Sequence, residues 1–146
     1  MPDRLAKTTG LLRADNVPFF TSTNHRPRLH RCRGYAAWSP DGTKLAASVG
    51  DEIVVYDVET GDQLRALAGH KGIIHSVAWS PDGEKLASGS SDQAVFLWDA
   101  ETGERLRALR GHTDVVWVWD VAWSPDGTRL ASASLDNTIV LWKVTP

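Results

Sequence analysis

The chain has 146 residues, of which 42% are hydrophobic and 23% charged, and it carries a formal net charge of −2 at pH 7. This length suffices for one domain with a real core, whereas the single cysteine, Cys32, excludes an internal disulfide framework and an all-cysteine metal site. No segment is long and apolar enough to span a bilayer or to form the core of a signal peptide, so we expect a cytoplasmic protein without a metal, a cofactor or a membrane contact.

The chain begins with a basic leader. Its first 34 residues carry seven Arg or Lys but only Asp3 and Asp15 as acids, whereas the remainder is acidic overall. We predict that residues 1–27 are either disordered or contain a single edge strand over residues 17–23, because proline is tolerated in edge strands. A nucleic-acid-binding arm is an alternative, since basic residues neutralise phosphates, but no aromatic platform accompanies them.

The rest of the chain is built from a repeated unit. Gly69-His70 returns as Gly111-His112, 42 residues later, and the tetrapeptide Ser-Pro-Asp-Gly occurs at residues 39–42, 80–83 and 124–127. A period of this size is typical of repeat architectures. We therefore divide the chain after the leader into three units, which are residues 28–68, 69–110 and 111–146.

The complete copy, residues 69–110, contains four apolar runs separated by turn signals. The Ser-Pro-Asp-Gly signal suits a type I turn, so residues 73–79 and 85–88 on its two sides are predicted to form a hairpin. Residues 94–99 are rich in β-branched and aromatic side chains, and the turn that follows leads to a fourth run at residues 105–109. In chain order we name these predicted strands a, b, c and d.

The four runs are more continuously apolar than a half-exposed sheet requires, which predicts burial on both faces and hence stacking of the units. Gly69-His70 is followed by Trp98-Asp99 within the complete copy. In this pairing of dipeptides, and in its strand pattern, the chain over about residues 30–146 resembles the WD-repeat β-propeller family. The resemblance implies an all-β fold, a partial propeller of three four-stranded antiparallel blades, and a role as a scaffold for protein or peptide partners.

The first and third blades depart from the reference copy. Tyr56-Asp57 replaces the Trp-Asp dipeptide in blade 1, so this repeat is degenerate. Blade 3 carries two extra residues near Val115-Val116, and we expect it to lack strand d because only three residues follow Lys143. An unpaired strand c would then remain at its edge.

Three blades are fewer than the four to eight of closed propellers. One interpretation is that the chain is a fragment of a larger propeller without independent activity. A second is a homodimer that completes a six-bladed ring, in which residues 17–23 of each copy supply the missing strand to blade 3 of the partner. A third is an isolated arc of three blades.

One set of polar residues invites an enzymatic interpretation. His70, Ser88 and Asp92 are the residue types of a hydrolase triad. The resemblance implies instead that these three residues and Trp98 form a structural hydrogen-bond network within the blade. Blade 3 repeats the whole set and blade 1 only part of it, as a scaffold role predicts and a single catalytic site does not. The repeated residues are His112, Ser132, Asp136 and Trp142 in blade 3, and His30 and Asp51, with Ala47 and Tyr56 at the other two positions, in blade 1.

The resemblance also implies where partners bind. Positions before the aromatic residue of strand a, and the residue before the turn Asp, lie on the face that most often contacts partners in the family. These positions hold Ile73, His75 and Ser91 in blade 2, and Trp117, Trp119 and Leu135 in blade 3. Because tryptophan is enriched among interface hot spots, we predict that Trp119 is exposed, and leave open whether Trp117 is exposed or packs between blades.

Overall fold

A computed structural model describes residues 35–112 and 117–144. Eleven β-strands and no helix occur in this part of the chain. Four sequence predictions lie outside the described residues: the leader over residues 1–27, its edge strand over residues 17–23, the network residue His30 and the insertion near Val115-Val116.

The strands form three antiparallel sheets of four, four and three strands. The first sheet contains β1 (Ala36–Trp38), β2 (Lys44–Val49), β3 (Glu52–Asp57) and β4 (Gln63–Ala68). The second contains β5 (Ile74–Trp79), β6 (Lys85–Ser90), β7 (Val95–Asp99) and β8 (Arg105–Leu109). The third contains β9 (Val118–Trp123), β10 (Arg129–Ser134) and β11 (Ile139–Lys143). The predicted all-β fold, with an incomplete last blade, is confirmed.

The predicted strand limits of the complete copy need small corrections. The second strand continues past Ser88 to Ser90 because Ser90 pairs with Ile74 in the adjacent strand. Strand a begins one residue later than predicted, at Ile74, and strand c begins at Val95. The predicted fourth strand matches β8.

Aspartate side chains stabilise two different turns by accepting hydrogen bonds from nearby groups. In the Ser-Pro-Asp-Gly turn, the Asp82 carboxylate accepts hydrogen bonds from the Ser80 hydroxyl and the Glu84 N–H, and Gly83 has a φ of 75° that favours glycine. In the turn between β7 and β8, Asp99 accepts from the N–H groups of Glu101 (2.9 Å) and Thr102 (2.8 Å). The Asp of the Trp-Asp dipeptide therefore shapes the return to the fourth strand.

The sheets stack, and the core lies between them. Ile53 and Val55 of the first sheet belong to the same buried hydrophobic cluster as Phe96 of the second. Val95 and Leu97, from the other face of the second sheet, pack against the third sheet through its buried residues Val118, Val121 and Leu130. The second sheet is thus covered on both faces, as the continuous apolar runs predicted.

An indole hydrogen bond repeats at both junctions. Trp79 donates its ring N–H to the Ala37 carbonyl at 2.9 Å, and Trp123 donates to the Ala78 carbonyl at 3.2 Å. A buried polar group needs a partner, so this bond lets a large aromatic side chain lie between two sheets. It also sets the alignment of each first strand against the one in the preceding sheet.

Candidate functional site

The second sheet contains a continuous polar network. The Nδ1 atom of His70 lies 2.8 Å from Asp92 Oδ2, and its Nε2 lies 2.7 Å from Ser88 Oγ. The indole N–H of Trp98 donates to the same Ser88 oxygen at 2.8 Å. The structure thus brings together all four residues that the sequence grouped in this blade.

The partners determine the direction of each hydrogen bond. A carboxylate only accepts, so the Nδ1–H of His70 donates to Asp92. In the tautomer whose single ring proton is on Nδ1, Nε2 accepts from the Ser88 hydroxyl, which in turn accepts from Trp98. Every donor in the chain Trp98–Ser88–His70–Asp92 has an acceptor, and such satisfied networks rigidify a core.

The environment of this network opposes catalysis. Ser88 is 0% exposed and Trp98 covers it at 1% exposure, so no substrate reaches the hydroxyl. The His70 ring is stacked on Phe96, with ring centroids 4.0 Å apart and an interplanar angle of 8°. A nucleophile needs a reacting atom within about 3 Å of it, and here that space is filled by side chains.

Asp92 is the ionic end of the network. Burial by itself would raise its pKa, but the hydrogen bonds from His70 and from the Lys71 N–H outweigh burial, and the pKa falls to about 2. The second carboxylate oxygen accepts from the Ala94 N–H at 3.0 Å. Asp92 therefore ties the loop before β5 to the turn between β6 and β7.

The third sheet repeats this arrangement with one difference. His112 Nδ1 lies 2.9 Å from Asp136 Oδ2, its Nε2 lies 2.8 Å from Ser132 Oγ, and the Trp142 N–H donates to Ser132 at 2.8 Å. Val140 occupies the position of Phe96, so no aromatic ring from that position stacks on His112. The Thr138 hydroxyl and N–H donate to Asp136, and the pKa of Asp136 is lowered chiefly by the bond from the hydroxyl.

The glycine before each network histidine makes room for the tryptophan. A Cβ atom at Gly111 would lie 2.7 Å from the ring of Trp142, and one at Gly69 would lie 3.4 Å from the ring of Trp98. The Gly-His and Trp-Asp dipeptides are far apart in sequence but touch in the fold. Their joint occurrence has this packing as its physical reason.

The first sheet has no equivalent network among its described residues. Ala47 stands at the serine position, and Tyr56 at the tryptophan position is 0% exposed. The Tyr56 hydroxyl has no hydrogen-bond partner among the described residues, and burial raises its pKa.

The residues predicted to bind partners lie at one end of the second and third sheets, which we name the top face. It comprises the segments that lead into β5 and β9, together with the turns between β6 and β7 and between β10 and β11. The Ser91 N–H donates to the Ile73 carbonyl at 2.9 Å, and the Leu135 N–H donates to the Trp117 carbonyl at 3.2 Å. These backbone bonds hold each turn beside its entering segment.

Three of these side chains form an aromatic cluster across the two sheets. The His75 ring stacks on Trp117 with centroids 5.2 Å apart and lies 5.0 Å from Trp119. The two tryptophan rings meet edge to face at 5.7 Å. His75 and Trp119 each lie at a register shift in the pairing of their strand. Such an irregularity changes the direction in which a side chain points.

Exposure within the top face differs from the sequence prediction. Trp117 is 44% exposed, whereas Trp119, predicted to be exposed, is half-buried. His75 is 6% exposed and lies below the surface, and Ser91 is half-buried. Ile73 and Leu135 are 51% and 47% exposed. The reason for the difference is the strand irregularity, which turns Trp119 inward against His75.

Sequence reasoning missed a polar pair between the second and third sheets. The Ser76 hydroxyl donates to Asp120 Oδ1 at 2.7 Å and accepts from the Val121 N–H at 3.2 Å. A polar residue at the same distance before the tryptophan of both first strands, Ser76 before Trp79 and Asp120 before Trp123, is the signal that could have revealed it.

The described residues show no cofactor-like cluster. No group of three or more His, Cys, Asp or Glu side chains within residues 35–112 and 117–144 could hold a metal ion. The same residues contain no helix long and apolar enough to cross a membrane.

The family model described as "WD domain, G-beta repeat" matches residues 61–99 and 103–143, which together exceed half of the chain. Each match covers the fourth strand of one sheet and the first three of the next. The family's sequence repeat therefore straddles a junction between sheets.

Several curated proteins are similar to parts of the chain. The human intraflagellar transport protein 122 homolog is 35% identical over 73 residues, covering 50% of this chain and 6% of that protein. Its Xenopus tropicalis counterpart is 33% identical over 83 residues, covering 56% of this chain and 7% of that protein. The mouse U5 small nuclear ribonucleoprotein 40 kDa protein is 36% identical over 75 residues, covering 51% of this chain and 20% of that protein. The matched region thus spans a small part of these relatives.

Proposed function

Because this chain belongs to the WD-repeat family, the proteins built from the WD domain or G-beta repeat, we propose that it is a scaffold whose top face binds a protein or peptide partner. Function in repeat folds comes from exposed rims, since the sheets themselves supply rigidity. The polar networks belong to that rigid part, and we assign them a structural and not a catalytic role.

The observation that carries this proposal is the exposed part of the top face. Trp117 is exposed, and the backbone bond from Leu135 to its carbonyl keeps these two residues adjacent. The ring of Trp117 rests on buried His75, so the ring is held in one orientation before any partner arrives. A pre-oriented aromatic side chain loses little entropy on binding and is a frequent hot spot.

We assign different roles to the six predicted partner-binding residues. Ile73, Trp117 and Leu135 present large exposed apolar side chains and would contact the partner. His75, Trp119 and Ser91 are buried or half-buried and would support those three.

The names of the relatives are consistent with assembly into larger complexes. One relative is named for intraflagellar transport and the other for a small nuclear ribonucleoprotein. The identity of the partner cannot be carried over, because the matches cover no more than 20% of these relatives. For location we propose the cytoplasm, supported by the presence of one cysteine, Cys32, since small secreted domains usually depend on disulfides.

Affinity capture tests the proposal. The tagged full chain is compared with the Trp117→Ala, Leu135→Ala double variant in a cell lysate, and captured proteins are quantified by mass spectrometry. We expect the variant to lose partners captured by the wild type, because each hot-spot truncation weakens binding by about 2 kcal/mol or more.

The matched control is the Leu64→Ala, Leu106→Ala variant, which removes two comparably exposed apolar side chains from fourth strands. Capture that is equal for wild type and the top-face variant would contradict the proposal. Binding that falls steeply with salt and disappears after nuclease treatment would favour the nucleic-acid alternative.

A further inference from the structure

One carboxylate at the junction of the second and third sheets has no basic partner. Asp120 of β9 is exposed, and no lysine or arginine of the described residues lies within ion-pair distance of it. The first strands β1, β5 and β9 contain neither lysine nor arginine, and Asp120 is the one acidic residue among them. Its negative charge is therefore not balanced by the neighbouring first strands.

Hydrogen bonds hold this carboxylate in one orientation. Its Oδ1 atom accepts from the Ser76 hydroxyl at 2.7 Å and from the Val121 N–H at 2.9 Å. Two donors occupy both lone pairs of that oxygen, whereas no donor within the described part of the chain bonds Oδ2 of Asp120. Oδ2 is thus an acceptor of fixed position that can take a donor from a ligand.

The same junction places aromatic rings beside the carboxylate. His75 and Ser76 follow each other on β5, and they contact Trp119 and Asp120, which follow each other on β9. The Asp120 carboxylate therefore belongs to the residue next to the Trp119 ring. Trp117, which is 44% exposed, meets that ring edge to face. A carboxylate and two indole rings thus lie close together, and all three are at least partly accessible to solvent.

This combination favours a guanidinium group. The face of an indole ring attracts a cation. Arginine is planar and more weakly hydrated than lysine, so it can stack on an aromatic ring while it donates N–H groups to a carboxylate. A neutral side chain lacks the charge for both contacts, and an acidic side chain would be repelled by Asp120. The charge and the rings together therefore select one class of side chain.

We propose that Asp120 and the neighbouring indoles of Trp117 and Trp119 bind an arginine side chain of the partner, whose guanidinium donates to Oδ2 of Asp120. This assignment rests on the proposed function, because both tryptophans belong to the top face. It adds the chemical class of one residue that the partner presents there. Ile73 and Leu135, which are exposed, would contact apolar residues of the same partner.

Titration of the isotope-labelled full chain with short peptides, followed by NMR of the indole N–H groups, tests the proposal. The probe is an end-blocked pentapeptide with one central arginine among alanines, and the comparison peptide carries citrulline, the neutral isostere of arginine. We expect the arginine peptide to shift the Trp117 and Trp119 signals and to bind about ten-fold more tightly than the citrulline peptide at low salt, a preference that salt reduces. A lysine peptide should bind with intermediate affinity, because it keeps the charge but lacks the planar group.

Variants of the chain test the assigned carboxylate. Asp120→Asn removes the charge but keeps an acceptor oxygen for Ser76, so the arginine peptide should bind no more tightly than the citrulline peptide. Asp62→Asn makes the same change at an exposed aspartate just before β4 and should leave the preference for arginine unchanged. If Asp120→Asn loses its β-sheet circular dichroism, Asp120→Ser serves instead, because serine occupies the equivalent position of β5.

Several results would overturn the assignment of arginine. They are equal affinity of the wild type for the arginine and citrulline peptides, tighter binding of the lysine peptide than of the arginine peptide, and a preference for arginine that persists in Asp120→Asn. An increase in affinity for the arginine peptide in the Arg26→Gln, Arg28→Gln variant would also overturn it, because the chain's own basic leader would then be the occupant.

The lysate experiment separates this assignment from the proposed function. If the Trp117→Ala, Leu135→Ala variant loses captured partners while the arginine preference does not depend on Asp120, only the arginine assignment fails. If that variant keeps the partners while the arginine preference requires Asp120, only the proposed role of the top face fails.

Discussion

Trp98 and Tyr56 occupy aligned positions in neighbouring sheets but have different surroundings. The Trp98 N–H donates to the buried Ser88 hydroxyl, whereas the Tyr56 hydroxyl is buried without a partner among the described residues. Removal of a satisfied buried donor destabilises a protein, while removal of an unsatisfied one is nearly neutral or stabilising. The two positions therefore respond differently to the same kind of substitution.

We predict that Trp98→Phe lowers the free energy of unfolding by about 1–3 kcal/mol, because Ser88 loses a buried hydrogen bond. Tyr56→Phe should change it by less than about 0.5 kcal/mol or increase it, since only an unpartnered hydroxyl is removed. Urea unfolding of both variants measures the difference. Equal losses at the two positions would contradict the network assigned to the second sheet.

Asp92 makes stability depend on pH. Its pKa in the folded chain is about 2, below its ordinary value of 3.8. Ionised Asp92 therefore stabilises the fold fully above about pH 4, and this contribution is lost as the pH falls toward 2. The size of the shift sets an upper limit of about 2 kcal/mol on this contribution, and screening by solvent makes the contribution smaller.

The measurement compares wild type with Asp92→Asn in urea unfolding at several pH values. We expect the difference in unfolding free energy between them to shrink as the pH falls from 4 to 2, because the wild type alone protonates this carboxylate. Other aspartates titrate equally in both proteins, so the difference isolates Asp92. A difference that stays constant over this range would show that Asp92 contributes no pH dependence.

At the scale of elements, Gly89 determines how closely the second and third sheets approach. A Cβ atom built at Gly89 would lie 2.7 Å from Val118 Cγ1 and 3.3 Å from the Val118 carbonyl oxygen. Val118 is 0% exposed and packs in the core between the sheets, so it has little room to move. The aligned residue on the third sheet is Ala133, which pairs with Asp120 as Gly89 pairs with Ser76.

We predict that Gly89→Ala lowers the free energy of unfolding by about 1–3 kcal/mol through overpacking. Inside a strand, replacement of glycine by alanine would otherwise be favourable by roughly 0.5–1 kcal/mol. A decrease in the free energy of unfolding would therefore support overpacking, and an increase would contradict it. The Gly89→Ala, Val118→Ala double variant should lose less than the sum of the single losses, and simple additivity would argue against the close contact.

At the scale of the whole molecule, the third sheet has exposed apolar side chains on its outer face within the described part of the chain. The exposed Ile139 and Leu141 align with Val95 and Leu97, which are 0% and 1% exposed because the third sheet covers them. Apolar surface of this kind favours association. The six-bladed homodimer was inferred from the repeat count, and this exposed apolar surface is a reason to keep it as a prediction.

We expect light scattering of the purified full chain to give twice the chain mass, and Leu141→Glu to give the single chain mass. Leu141 is largely exposed, so its substitution leaves the packing within the chain intact. Leu106→Glu, on β8, is the matched control and should keep the doubled mass. A single chain mass for the wild type, or a series of larger assemblies, would contradict a closed pair.

The sequence by itself determined the repeat, the strand order within each sheet and the membership of the polar networks. These features depend on contacts within one unit. The unit's apolar runs, turn residues and dipeptides recur at a fixed period, so a strand or turn predicted in one copy is supported by the same pattern in the others. The Asp99 turn and the packing of Trp142 against Gly111 show the local chemistry that makes those residues recur.

Only the tertiary structure decided which side chains face outward on the top face and which lie beneath. Trp119 turns inward and Trp117 outward because of an irregularity in the pairing of β9 with β10, and His75 from the neighbouring sheet contacts both rings. The pairing of Ser76 with Asp120 and the approach of Val118 to Gly89 likewise join residues of different sheets. Such contacts depend on how two sheets are placed against each other, which a period along the chain does not encode.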